Sequence, residues 1–330
     1  MIKLEDMQKY GWEYAINQVV NCDCMEGINK LPENSIDCVV TSPPYWNLRD
    51  YSVDGQIGME KSLNEYLIKL WYLFSELYKK LKPTGTCFVN LGDTYGGSGD
   101  KEGYIDNKNT NRNGQKKSLS KNYMSKCLLQ IPSRFAIGMT DRQYILRNNI
   151  IWHKSNAMPS SVLDRLTNKY EHIFFFTKNQ KYYFDIDKIR IPYEGNEPRP
   201  PGIVRNREKG YNSKFGTLRR EMDMQPKQAK KRRTPEQEYF RNPLGKIPGD
   251  VWTLNLQPSK YPHIAMYPEK LIAPLIAAGC PEGGIVLDPF MGMATTAKVA
   301  KDLGRNFIGF ELNPDYCRIS DKRIRQQILF

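Results

Sequence analysis

The sequence is poor in the residues that build metal centres and disulfide frameworks. It has three histidines among 330 residues, and its seven cysteines include no Cys-x-x-Cys pair, Cys22 and Cys24 being the closest in spacing. No apolar run approaches the roughly 18 residues that a membrane span needs. These absences argue against a zinc site, a disulfide-stapled fold and a membrane protein. We therefore predict a chain that binds no metal and no membrane.

The amino-terminal segment, Met-Ile-Lys-Leu-Glu-Asp-Met, lacks the apolar core of a signal peptide. Together with the cysteine usage, this predicts a protein of the reducing cytoplasm.

Charge is what the chain has in excess. It carries 49 Lys and Arg against 36 Asp and Glu, a net charge of +13. Residues 188–246 hold 16 of these basic residues against 7 acidic ones and so contribute +9. Such a concentration suits a polyanion, although a solvated basic loop is the alternative interpretation. Glycines, tyrosines and amides interleaved with the charge favour a nucleic acid.

Short apolar strands alternate with helical patterns along most of the chain. Residues 62–81 have apolar side chains at helical spacing, Pro83-Thr84-Gly85 is predicted to end that helix, and a strand is predicted at 86–91. This alternation predicts an α/β fold with a mostly parallel sheet and helices on both faces.

Composition divides the chain into three parts. The basic, Pro- and Gly-punctuated segment interrupts the α/β pattern, and the predicted parts are residues 1–186, 187–249 and 250–330. Residues 92–126, rich in Gly, Asn, Ser and Lys, are predicted to form a mobile surface loop that orders on a ligand.

A rigid turn follows the predicted strand at residues 36–40. It reads Ser42-Pro43-Pro44-Tyr45-Trp46, and each proline fixes its φ angle and removes a backbone N–H donor. A serine hydroxyl, carbonyl acceptors and a flat aromatic ring remain, which suit a planar ring that bears an amino group. The alternative interpretation is a polyproline-like connector that packs an aromatic side chain.

A second motif has the order strand, tight loop, helix, and it starts at residue 284. Glu311 follows the next predicted strand, so the segment is typical of a nucleotide-binding βαβ unit. Its loop lacks the lysine of a phosphate-binding loop, and Asp288 would repel a pyrophosphate, whereas an acid there suits a positively charged ligand. Phe290 suits an adenine or a methionine chain. This favours S-adenosylmethionine over NAD or ATP; an ordinary turn with Gly292 for close packing is the alternative.

The two motifs together resemble those of a known family. Ser42-Pro43-Pro44-Tyr45 resembles the catalytic motif of the amino-methylating DNA methyltransferases, and Asp288-Pro289-Phe290-Met291-Gly292 resembles their cofactor loop. The catalytic motif comes first and the loop about 245 residues later, which is similar to the permuted β group of that family. The resemblance covers roughly residues 17–185 and 250–325. One departure is the sequence Gly292-Met293-Ala294-Thr295, where the family usually has Gly-Ser-Gly-Thr.

The resemblance implies a Rossmann-like methyltransferase sheet, an inserted target-recognition region and a role for each matching residue. Ser42, Pro43, Pro44 and Tyr45 would be catalytic, and Trp46 would border the pocket of the target base. Eight residues would bind the cofactor: Asp23, His263, Lys270, Asp288, Phe290, Gly292, Thr295 and Glu311. Eight basic residues of the insert would bind DNA: Arg205, Arg207, Arg219, Arg220, Lys230, Lys231, Arg232 and Arg233.

The resemblance also implies a reaction. A methyl group would pass from S-adenosylmethionine to an exocyclic amine in double-stranded DNA, after the base is flipped out of the helix. A serine at the first motif position favours N4 of cytosine, and N6 of adenine is the alternative. More distant alternatives are an RNA or protein-amide methyltransferase and a DNA-binding regulator built on an inactive methyltransferase frame.

The biological setting follows from the same resemblance. The protein would be prokaryotic or phage-encoded, and a cognate restriction endonuclease and a homodimer are the partner hypotheses that it leaves open.

Overall fold

A computed structural model describes residues 2–48, 51, 53–97, 123–193, 242–256 and 267–325. Within these residues the strands are β1 (Ile2–Lys3), β2 (Gln18–Asn21), β3 (Ile36–Thr41), β4 (Leu81–Leu91), β5 (Ile145–His153), β6 (Tyr170–Thr177), β7 (Val251–Thr253), β8 (Ile285–Asp288) and β9 (Asn306–Glu311). The helices are α1 (Leu4–Tyr10), α2 (Cys24–Asn29), α3 (Leu63–Lys80), α4 (Ile131–Thr140), α5 (Glu269–Gly279), α6 (Thr295–Asp302) and α7 (Pro314–Arg325).

The strands form one sheet in the order β1-β2-β9-β8-β3-β4-β6-β5-β7. Strand β6 runs antiparallel to β4 and β5, and all the other described pairings are parallel. The predicted α/β fold with a mostly parallel sheet is therefore confirmed. Because parallel strands share one carboxyl edge, the residues that follow β3, β8 and β9 lie beside one another at that edge.

Alternation of side chains along the strands builds a core on each face of the sheet. Val39 and Val89 point into one core, which also contains Leu70 of α3 and Phe135 of α4. The neighbouring strand residues point into the other core, which contains apolar side chains of α5, α6 and α7. Burial on both faces explains why these strands read as continuous apolar runs rather than alternating ones.

One helix boundary differs from the prediction. Helix α3 begins after its N-cap Ser62, whose hydroxyl accepts a hydrogen bond from the Glu65 amide, but β4 then begins at Leu81 and includes Pro83. Pro83 therefore lies inside a strand instead of ending a helix. Pairing of β4 with β3 is irregular between Ile36 and Cys38, and an irregular pairing tolerates a residue without an N–H donor.

The chain divides into two units, Met1–Ile189 with Gly249–Phe330, and Arg190–Pro248. In the second unit, two backbone hydrogen bonds of 3.0 and 2.9 Å join Ile191 and Lys246. Residues 98–122 of the predicted mobile loop and all eight basic residues assigned to DNA lie outside the described residues. None of the described helices is long and apolar enough to cross a bilayer.

Candidate active site

Asp288 lies buried at the end of β8 and accepts four hydrogen bonds. Its Oδ1 atom accepts from Thr41 Oγ1 at 2.6 Å and from the Phe290 amide at 3.0 Å. Its Oδ2 atom accepts from Thr296 Oγ1 at 2.6 Å and from Tyr267 OH at 3.0 Å. Thr41 ends β3 and immediately precedes the Ser-Pro-Pro-Tyr motif. The Asp288 carboxylate therefore joins the two motifs that the sequence places about 245 residues apart.

This geometry corrects the expectation that Asp288 faces a positively charged ligand directly. The residue is 1% exposed, and its four donors fill the four lone-pair sites that a carboxylate offers. Burial raises the pKa of Asp288, and the four hydrogen bonds oppose that rise. Asp288 thus acts as a junction between β3, β8 and α6 in this structure.

Glu311 is the second carboxylate of the site and lies at the end of β9. Its Oε2 atom accepts a hydrogen bond from the Gly292 amide at 2.8 Å, and its Oε1 atom accepts one from the Asn313 amide at 2.7 Å. Burial raises the pKa of Glu311 to about 7, the two amides oppose this rise, and Asp288 adds to it. Glu311 therefore changes charge near neutral pH while its position is fixed by the backbone.

The loop of residues 288–294, here called the glycine loop, leaves room beside its backbone. Gly292 has a φ of +55°, and a Cβ added there would meet only the Phe290 carbonyl oxygen, at 4.0 Å. Phe290 is half-buried in the same loop, and Thr295, the first residue of α6, is buried. Open space at Gly292 next to a buried acid is the kind of cradle in which a backbone approaches a ligand closely.

The departure at Ala294 has a visible conformational consequence. Ala294 is the N-cap of α6 and has φ 63° and ψ 35°, a left-handed conformation that glycine adopts without a steric penalty. The backbone of the loop is therefore kept in this conformation in spite of the alanine methyl group.

Substitution of Ala294 by glycine should leave the free energy of unfolding unchanged to within about 0.5 kcal/mol. Relief of left-handed strain, about 1–2 kcal/mol, offsets the lost burial of one methyl group and the greater freedom of the unfolded chain. Ala300 is the matched control, because it is equally buried but helical. Ala300→Gly should cost about 1.5–2 kcal/mol in urea denaturation, and equal losses in the two variants would contradict this account.

Tyr45 of the Ser-Pro-Pro-Tyr motif is held at both its ring and its hydroxyl. A Cβ added at Gly92 would come within 2.6 Å of Tyr45 Cε2, so only glycine lets the ring pack there. The Tyr45 hydroxyl donates to Glu171 Oε2 at 2.7 Å. Burial raises the pKa of Tyr45 well above its usual value, and Glu171 adds to the rise, so the phenol stays neutral.

The remaining motif residues have different surroundings. Ser42 is half-buried, directly after Thr41. The Pro44 carbonyl accepts a hydrogen bond from Tyr66 OH at 2.9 Å, so it is not the unopposed acceptor that the sequence suggested. Trp46, predicted to border the base pocket, is 1% exposed and donates from Nε1 to the Glu60 carbonyl at 3.1 Å. Trp46 is a core residue that supports the motif from behind.

Three of the predicted cofactor residues are not brought into this cluster. Asp23 caps α2 and accepts from the Met25 amide at 2.8 Å, which gives it a structural role. Lys270 is exposed in the first turn of α5, and His263 lies outside the described residues.

The structure adds residues that sequence reasoning missed. They are the donors to Asp288 and the partners of Tyr45, and they comprise Thr41, Asn90, Lys154, Glu171, Tyr267 and Thr296. Thr41 gave a usable signal, since a polar residue that ends an apolar strand next to a motif must find a partner. Tyr267 and Thr296 are recognisable only from tertiary structure.

Comparison with known proteins identifies the family. The DNA methylase family N6_N4_Mtase matches residues 36–322. The Type II methyltransferase M.Cfr9I of Citrobacter freundii is 34% identical over 306 residues, which cover 92% of this chain and 86% of that protein. M.SmaI of Serratia marcescens, also a Type II methyltransferase, is 34% identical over 93% of this chain and 90% of its own length. The chain belongs to this family.

Solved structures agree on the fold. The cytosine-N4-specific PvuII DNA methyltransferase superposes with a TM-score of 0.59 at 19% identity, covering 93% of this chain and 89% of that one. The modification methylase TTHA0409 from Thermus thermophilus, complexed with S-adenosyl-L-methionine, gives a TM-score of 0.55 at 20% identity over 94% of both chains. The resemblance to amino-methylating DNA methyltransferases and the Rossmann-like methyltransferase fold are therefore confirmed.

S-adenosylmethionine is the cofactor of this DNA methylase family. The residues of the glycine loop fit it. The open backbone at Gly292 leaves space for a ligand, the Glu311 carboxylate can accept hydrogen bonds from a ribose diol, and the half-buried Phe290 ring offers an apolar surface.

Proposed function

We propose that this DNA methylase transfers a methyl group from S-adenosylmethionine to N4 of cytosine at a specific site in double-stranded DNA. The 2.6 Å hydrogen bond between Thr41 and Asp288 carries the proposal, because it holds Ser42 directly beside the glycine loop. Two observations support cytosine over adenine: Ser42 stands at the first position of the motif, and the PvuII enzyme of similar fold is described as cytosine-N4-specific.

The chain's own residues supply orientation and hydrogen-bond acceptors. The bound sulfonium supplies an already activated methyl group, which leaves a neutral thioether behind. The exocyclic amine of a base is a poor nucleophile, since its lone pair is conjugated with the ring. Ser42 Oγ and the Pro43 carbonyl would accept the two amine hydrogens and raise electron density on nitrogen. Tyr45 would stack on the base, and alignment of this kind is worth up to about 7–11 kcal/mol in favourable cases.

DNA must deliver the base to this edge of the sheet. Extrusion from the duplex costs a few kcal/mol, and contacts between cationic side chains and phosphates offset that cost. We assign these contacts to residues 187–249, because residues 188–246 carry a net charge of +9. Arginines such as Arg205 and Arg207 would read base edges in the major groove. A cognate endonuclease and a homodimer stay predictions.

The test is a product analysis. The full-length protein is incubated with isotope-labelled S-adenosylmethionine and plasmid DNA, and the DNA is digested to nucleosides for mass spectrometry. Labelled 4-methylcytosine is the expected product. Labelled 6-methyladenine would replace cytosine by adenine in the proposal, and absence of label in DNA would overturn it.

The pKa of Glu311, about 7, predicts a pH dependence of cofactor binding. Ribose hydroxyls donate to a carboxylate better than to a carboxylic acid, so affinity should fall about tenfold between about pH 8 and pH 6. Titration calorimetry with S-adenosylmethionine should show this slope in the natural protein and a flat profile in Glu311→Gln. A wild-type profile as flat as that of the variant would remove Glu311 from ribose binding.

Folding stability should depend on the same group with the opposite sense. The folded state holds the Glu311 proton more tightly than the unfolded state, because the pKa rises from 4.5 to about 7. The cofactor-free protein should therefore lose stability as pH increases between these values.

A further inference from the structure

A polar network surrounds the hydroxyl group of Tyr45. Glu171 of β6 accepts from Tyr45 OH at 2.7 Å and from Asn90 Nδ2 of β4 at 3.1 Å, both on its Oε2 atom. Its Oε1 atom pairs with Lys154, the residue after β5. Asn90 Nδ2 also donates to the His172 carbonyl at 3.1 Å. Three neighbouring strands thus contribute to one carboxylate at the edge of the sheet that carries the proposed catalytic motif.

This network is not what the stability of a sheet requires. The side chains of Lys154 and Glu171 are only 15% and 16% exposed, so both charges have lost most of their water. Apolar residues of similar volume at such a place are often neutral or stabilising, since the desolvation cost of a buried pair can exceed its Coulomb energy. A partly buried ion pair whose free lone pairs are spent on one phenol and one amide indicates that the position of that phenol matters.

The ring of Tyr45 is constrained from two directions. Gly92 limits the approach on one side, because no side chain larger than hydrogen fits beside Tyr45 Cε2. Glu171 holds the hydroxyl at the far end of the ring. Loss of either constraint would let the ring swing about its χ angles, and a stacking platform that swings no longer aligns a base.

We propose that Glu171, supported by Asn90 and Lys154, is a positioning residue that fixes the plane of the Tyr45 ring for an extruded base. The inference rests on the proposed function, since it gives the Tyr45 ring the task of stacking on the target. Glu171 acts through Tyr45 and touches neither the base nor the methyl donor in this scheme. Its removal therefore changes the alignment of the base and leaves the cofactor pocket at Gly292 and Glu311 as it is.

A double-mutant cycle tests the inference. Glu171→Gln removes the charge at nearly constant volume, and Tyr45→Phe removes the hydroxyl while keeping the stacking ring. Glu171→Gln should lower kcat for methyl transfer to plasmid DNA by about 10- to 100-fold, the range expected for one charge-assisted hydrogen bond. In the Tyr45→Phe background the same substitution should have no further effect on kcat, because the hydroxyl on which it acts is absent.

A second readout separates positioning from general damage. Calorimetry should give the same S-adenosylmethionine affinity for Glu171→Gln as for the natural protein. A 2-aminopurine placed at the target position should report altered stacking, as a change in fluorescence on binding, in Glu171→Gln and Tyr45→Phe alike. Tyr45→Phe creates no buried charge, so it tests the same hydrogen bond if Glu171→Gln does not fold.

Asp37→Asn is the matched control. Asp37 is a carboxylate at the opposite end of β3, 7% exposed and paired with Lys82 at 2.8 Å. Its substitution should lower stability without changing kcat. The inference is overturned if Glu171→Gln lowers kcat equally in both backgrounds, if it leaves kcat unchanged, or if Asp37→Asn lowers kcat as much. A natural protein that transfers no methyl group to DNA would overturn the proposed function and this inference together.

Discussion

Ser42→Ala is expected to lower kcat for methyl transfer by about 100- to 1,000-fold while S-adenosylmethionine affinity stays within about twofold. The hydroxyl lies directly after Thr41, which is bonded to Asp288, so it is placed at the junction of the two motifs. Acceptors that strengthen as the amine nitrogen develops charge act in the transition state and contribute little to ground-state binding. The effect should therefore appear in single-turnover rates and be almost absent from calorimetric cofactor binding.

Ser75→Ala is a suitable control for this prediction. Ser75 is a half-buried serine on α3 whose hydroxyl donates to the Trp71 carbonyl at 2.7 Å. It should tolerate the same substitution with full activity. Tyr45→Ala should lower transfer by about 5- to 150-fold, the range of one base-aromatic stack. If Ser42→Ala weakened cofactor binding as much as it slowed transfer, the division of labour between the two motifs would be wrong.

Periodicity and turn chemistry made much of the fold predictable from sequence. Helix α3 has leucines at helical spacing and a serine cap, and β8 is a short apolar run before a glycine-containing loop. Two motifs that both follow strands of a parallel sheet must share its carboxyl edge, which is why Ser42 and Asp288 could be placed together before any coordinates.

Partners that come from distant parts of the chain were not predictable in this way. Asp288 looked like a ligand for a cation, but three side-chain hydroxyls and an amide use its lone pairs. Trp46 looked like a pocket wall because it adjoins the motif, and packing against Tyr123 and Glu60 puts it in the core instead. The Lys154–Glu171 pair involves neighbouring strands whose antiparallel register no local pattern specifies.

Asp288→Asn is expected to have the largest combined effect on stability and function. Asparagine keeps the size of the side chain but replaces one acceptor oxygen by an N–H donor, so two of the four donors that now bind Asp288 would face a donor. Each lost hydrogen bond to a buried charged group costs about 1.5–3 kcal/mol, so the free energy of unfolding should fall by about 3–6 kcal/mol in urea denaturation. Methyl transfer should be lost at temperatures where the variant is still folded, because Thr41 no longer fixes Ser42 beside the glycine loop.

Asp37 provides the comparison that separates these two effects, because it joins the same two strands at the opposite edge of the sheet. Its Oδ2 atom accepts from the Ile285 amide at 2.9 Å, so Asp37 links β3 to β8 as Asp288 does. Asp37→Asn should lower stability by a smaller amount, since asparagine can still accept from that amide, and should leave transfer intact. A methyltransferase that kept its activity in Asp288→Asn would show that the hydrogen bond between Thr41 and Asp288 does not align the two motifs. Loss of activity in Asp37→Asn, at a temperature where it is folded, would show that any weakening of the β3–β8 pairing suffices and that the carboxyl edge has no special part in it.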